Sequence, residues 1–162
     1  MASHPLTEEF FKETVEPTVD EYLVRPENVR RGRLAAIALN HVVDYWHEDT
    51  HESLTVIRAA LRDDTPIPGH PGHSSSDVLR DVADASKHAK LNRADSRLTN
   101  ADQVKKQLIG AMGTAPMGMV PMGMLKAVDT RVTLNNGQSF ILAYVIRSVT
   151  EVWRKKLTPL EL

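Results

Sequence analysis

From about Asn28 the apolar residues recur at steps of three and four, as Leu34, Ile37, Ala38, Val42 and Tyr45, through a segment without Gly or Pro after Gly32. This spacing predicts a central helix from Val29 to about Asp49. With Leu39, Val43 and Trp46 added, its apolar positions cover more than half of the circumference, so packing on several sides is expected. Ser53 is placed to cap a further helix through about Leu61, and TPIPGHPGHSSSD (65–77) reads as a loop because Pro, Gly and Ser dominate it. Ser76 or Asp77 then caps a helix to about Leu91, its inner side built from Val78, Leu79, Val82, Ala83, Ala85 and Ala89.

Downstream the period changes. A short helical stretch is expected around Val104–Ile109, followed by the Met/Gly/Pro-rich loop GAMGTAPMGMVPMGM (110–124), whose Gly and Pro residues forbid a regular helix. Val128, Thr130, Val132 and Leu134 alternate with Asp129, Arg131 and Thr133, and Asn135-Asn136-Gly137 is a hairpin turn signal. A short return strand then leads into a helix from about Ile141 to Leu157, ending in Arg154-Lys155-Lys156. At the other end Thr7 is a candidate cap, and Pro17 stops or restarts the helix of an acidic N-terminal arm, 1–27. The expected fold is mainly α: one domain over 1–162, a helical bundle of four to five helices with a small C-terminal β-hairpin.

Composition fits that picture. The 162 residues are 41% hydrophobic and 25% charged, with no Cys. A chain of this size buries roughly two-thirds of its unfolded surface and needs no disulfide to stay folded. The lack of Cys excludes thiol catalysis and cysteine-ligated zinc or iron–sulfur sites. No run nears the ~20 apolar residues of a membrane span, and MASHPLTEEFFKE lacks the basic start and apolar middle of a signal peptide, so a cytoplasmic location is expected. The net charge of -1 divides unevenly, with eight basic and sixteen acidic residues in 1–84 against twelve and five in 85–162. Such a split suits either a nucleic-acid surface or two halves that attract each other.

Two constellations could carry chemistry. On the central helix Asn40, Asp44, His47 and His51 share a narrow polar stripe, and a histidine pair at i, i+4 with an aspartate one turn earlier is a spacing that binds divalent metals. Asp77, Asp81, Asp84 and His88 line one sector of the other helix. Facing stripes would give a metal site from Asp44, His47, His51 and Asp84, in the manner of metal-binding bundles, whereas a solvent-facing strip would give none. His47-Glu48-Asp49-Thr50-His51 is set apart from the H-E-x-x-H zinc-protease motif. G-x-G-x-x-G, G-x-x-x-x-G-K-[ST] and G-x-S-x-G are absent.

The second constellation is Arg80-Asp81-Val82-Ala83-Asp84-Ala85-Ser86-Lys87-His88. It resembles the "RDxAxASKH" helix of uncharacterised bacterial and phage all-helical proteins, and it is also similar to HEPN-type domains, over about 15 residues. In catalytic HEPN proteins an Arg, usually followed by a polar residue, precedes a His with four to six residues between them, and the pair cleaves RNA across a dimer interface. The resemblance implies an RNA-acting protein in which His88 is the general acid or base and Arg80 stabilises the phosphorane charge. Here seven residues intervene, which sets the two about 12 Å apart along a helix and about 80° apart around it.

Other candidates are simpler. His70 and His73 read as solvated turn residues or a surface metal pair, His41 as a core histidine, and the Met loop as groove filling or a partner contact. Nucleic-acid binding through Lys87, Lys90, Arg93, Arg97, Lys105 and Lys106 would be electrostatic, since no aromatic lies between Trp46 and Phe140. The function expected is a non-enzymatic helical module that binds a protein partner or assembles into a homo-oligomer, because its central helix is apolar on more faces than so few helices cover. No cofactor is expected beyond a divalent metal. HEPN-like RNA chemistry and a metal-dependent bundle are the alternatives.

Overall fold

The computed structural model describes residues 3–88, 90–108 and 128–158. The chain begins as one helical rod in three pieces: α1 (Pro5–Phe10), a π-helical turn (Phe11–Val15) and α2 (Glu16–Val24). Glu16 N–H bonds Phe11 O, five residues back, and Pro17 follows at the start of α2, where it has no N–H to continue the ladder. The expected interruption at Pro17 is thus a restart within one rod. Thr7 does not cap it. Thr7 lies inside α1, fully buried, and Asp49 from the central helix accepts both the Thr7 N–H (2.8 Å) and its hydroxyl (2.7 Å). The acceptor for these free N–H groups therefore comes from another element.

The central helix is α3 (Val29–Thr50), capped by the Asn28 side chain on Arg31 N–H at 3.0 Å and ended by His51 at φ 59°. α4 (Leu54–Asp64) carries the expected Ser53 cap and runs almost a turn beyond Leu61. α5 (Ser75–Lys87) starts earlier and ends earlier than its pattern suggests, because Ser74 is the cap and His88 is already extended. The loop between them turns at Gly69 (φ 77°) and Gly72 (φ 84°), positions that favour glycine.

Where a helix is expected around Val104–Ile109, the chain forms β1 (Val104–Leu108), preceded by a 3₁₀ turn at Ala101–Gln103. Val104 and Leu108 suit a helix face by spacing, but five residues pair with β2 (Val128–Thr133), and that ladder decides the conformation. β3 (Ser139–Ile141) returns after the Asn135-Asn136-Gly137 turn, where Gly137 has φ 87°. The expected hairpin is one half of a three-stranded antiparallel sheet, β1-β2-β3. α6 (Leu142–Leu157) follows directly. The Met/Gly/Pro-rich loop, 110–124, lies outside the described residues.

The described part is mainly α, with five helical rods and this small sheet. α3 is the axis of the core. Its buried Ala35, Ala36, Leu39, Val42 and Val43 join Val78, Val82 and Ala85 of α5 and Leu142, Val145, Ile146, Val149 and Trp153 of α6 in one cluster. The N-terminal rod adds Phe11, Val15, Val19 and Tyr22, and α4 adds Ile57 and Leu61. The chain thus covers most of α3 by itself, leaving Leu34 45% exposed. Covering the apolar faces of α3 therefore does not require a second chain. No helix among the described residues is long and apolar enough to cross a membrane.

One close contact makes a sharp prediction. A Cβ built on Gly32 would stand 2.8 Å from Leu142 Cδ2 and 3.0 Å from Tyr22 Cε2, both on fully buried side chains. Gly32→Val is expected to cost roughly 1–3 kcal/mol through overpacking, despite the gain from removing a helical glycine. Urea unfolding measures it, and an unchanged midpoint would show that α3, α2 and α6 can separate there.

Candidate functional site

The inner side of α5 carries three aspartates one turn apart, and the chain after α5 folds back to neutralise them. Asp81 is fully buried; it accepts the Arg97 N–H at 2.7 Å and pairs with the Arg93 guanidinium. Arg93 also reaches Asp84 (2.5 Å) and Asp95 (2.6 Å). Asp77, at the start of α5, receives Arg62 of α4 at 2.8 Å and Arg97 at 3.3 Å. Burial pushes the Asp77 carboxyl up, but Arg62 and Arg97 outweigh it and hold the group below its ordinary range. At Asp81 burial wins over the Arg97 N–H and both guanidiniums, and its carboxyl titrates above that range. This network fastens residues 91–100 to α5.

The candidate metal residues do not come together as a ligand set. Asp44 is exposed, and Asp84 belongs to the Arg93 network. His47 is half-buried, its Nδ1 hydrogen-bonded to Glu52 O at 2.5 Å; the exposed His51 leaves the helix axis in a left-handed conformation. The run His47-Glu48-Asp49-Thr50-His51 does spell H-E-x-x-H, and its letters do not set it apart from that motif. What separates it is conformation, since the motif works with both imidazoles on one helical face. Among the described residues no group of three or more His, Asp or Glu side chains is placed to hold a metal ion.

Arg80 and His88 are also separated. Arg80 is half-buried at mid-helix, whereas His88 is exposed past the last turn of α5, its N–H on Asp84 O at 3.0 Å. His41 is half-buried and bonds Ile37 O through Nδ1. His70 and His73 pack around Phe140, at ring distances of 5.0 and 5.9 Å. Part of the charge split closes within the chain: Arg154 of α6 meets Glu16 of the acidic arm at 2.9 Å, and Lys156 meets Asp64 at 3.5 Å.

The feature that remains is a recess among α3, α4, α5 and α6. Its polar lining is Asn40, Arg58, Ser76, Asp77 and Arg80, and Trp153 forms part of its apolar wall. The cavity is about 10 Å³, the room for roughly one water or one ligand oxygen. Arg58 donates to the neutral Asn40 Oδ1 at 3.2 Å and has no carboxylate within 4.0 Å among the described residues. Burial first and then the charge of Arg80 lower its pKa, against the weaker pull of Asp44 and Asp84. Arg80 has only Asp84, at 4.0 Å, and Arg93 already holds that carboxylate. Trp153 is fully buried, and its indole Nε1 has no acceptor.

Neither Arg58 nor Trp153 stands out in the sequence as a site residue. The signal for Arg58 is its position beside buried Ile57 and within one turn of buried Leu61, where an amphipathic helix ordinarily turns inward. No family model, curated protein or solved structure matches this chain.

Proposed function

We propose that the protein is a helical binding module that holds an anionic group of a partner in the recess between α4 and α5. The observation that carries this reading is the Arg58–Arg80 juxtaposition: two guanidiniums on neighbouring helices, of which Arg58 is bonded only to a neutral amide. The arginines that hold the aspartates of α5 behave otherwise. Arg62 and Arg93 each sit on a carboxylate at hydrogen-bond distance. Like charges held together cost stability, and a fold retains such a conflict where a ligand resolves it. The HEPN-like reading would need Arg80 of one chain to meet His88 of another, since within one chain they diverge.

Stability tests this reading without a ligand. Removing Arg80 orphans no buried partner, because Asp84 keeps Arg93. Arg80→Met is therefore expected to leave stability unchanged or raise it by up to about 1 kcal/mol in urea unfolding. A loss above that size would make Arg80 a structural residue and overturn the reading.

A further inference from the structure

The donors of this recess say more about its ligand than its charge alone. Arg58 and Arg80 supply two positive charges, while Asp77, the one carboxylate in the lining, is taken by Arg62 and Arg97. Trp153, in the wall of the same recess, is fully buried, and its indole N–H has no acceptor. A buried donor of this kind costs about 1–3 kcal/mol unless something accepts from it. Water can accept from it, but water does not relieve the repulsion between two guanidiniums. A phosphate group does both, with two negative charges and several acceptor oxygens in a geometry that guanidiniums match bidentately. A carboxylate brings one charge.

Resting on the binding-module reading, we propose that the recess is a phosphate site that takes a phosphate dianion, free or as a monoester. One oxygen enters the small cavity toward Trp153, and the others stay at the mouth between Arg58 and Arg80. The cavity size fits this division, since it admits one oxygen and no whole phosphate. The apolar wall of Leu39, Val43 and Trp153 excludes water from behind the bound oxygen, which strengthens its charge-assisted bonds.

The test is a titration of the full chain at pH 7.5, followed by the indole N–H resonances in ¹H–¹⁵N spectra, with sodium chloride matched for ionic strength. Trp46 is the internal control, because its Nε1 already donates to Glu52 at 3.2 Å. Inorganic phosphate is expected to move the Trp153 signal saturably and more than that of Trp46, and Arg80→Met to weaken this binding about tenfold or more. Phenyl phosphate binding tighter than inorganic phosphate would identify an ester as the source, and the reverse order free phosphate. An equal shift with chloride, equal affinity for acetate, an unmoved Trp153, or an Arg80→Met titration matching wild type would each overturn the proposal. If Arg80→Met keeps its stability while Trp153 does not respond, the phosphate assignment alone fails and the binding-module reading stands.

Discussion

Replacing Arg93 by alanine is expected to destabilise the fold by about 3 kcal/mol or more at neutral pH, the usual consequence of stripping one partner from a buried ion pair. Asp81 has no solvent contact to fall back on, and without Arg93 it keeps only the Arg97 N–H at 2.7 Å and the Arg97 guanidinium at 4.0 Å. The loss has a definite pH dependence. Asp81 titrates above its ordinary range in the folded chain, so the folded state binds this proton more readily than the unfolded state, and ionising it costs stability as pH rises through that range. Removing Arg93 enlarges that cost. The penalty of Arg93→Ala is therefore largest at neutral pH and shrinks as pH falls and Asp81 takes up its proton. Urea unfolding of both proteins at pH 7 and pH 4 measures it, and an equal penalty at both values would show that Arg93 acts through packing instead of charge.

That network also explains what could and could not be read from the sequence. α3 was legible because its apolar spacing holds over 22 residues and its neighbours only reinforce it. The same is true of the Ser53 cap and the hairpin at Asn135-Asn136-Gly137, where the turn chemistry is local. The end of α5 was not legible, because the helical pattern continues past Lys87 while Arg93 and Arg97 must leave the helix to reach Asp81 and Asp77. The stripe Asp77, Asp81 and Asp84 looked like a solvated or ligand-binding face for the same reason, as its partners lie 15 residues upstream on α4 or 9 to 20 residues downstream in a segment without periodicity. β1 depended on pairing with a strand beyond the Met-rich loop, which no local spacing reveals. At the recess, Asn40 lay within a stripe already singled out, but its partner Arg58 sits 18 residues away on another helix.

Trp153→Ala is the second large effect, expected at about 3–5 kcal/mol in urea unfolding. The ring is fully buried on α6, packs against Trp46 of α3 at 5.5 Å and closes the recess, so its removal opens the seam where four helices meet. Trp153→Phe separates the two roles of this side chain. Phenylalanine restores most of the apolar contact and deletes a buried N–H that has no acceptor, so the loss of volume is partly offset by removal of an unsatisfied donor. The phenylalanine variant should therefore lose well under half of what the alanine variant loses. An equally large loss would mean that the indole N–H is already bonded in the free protein, and that the back wall of the recess is a finished piece of core and not a donor held for a ligand.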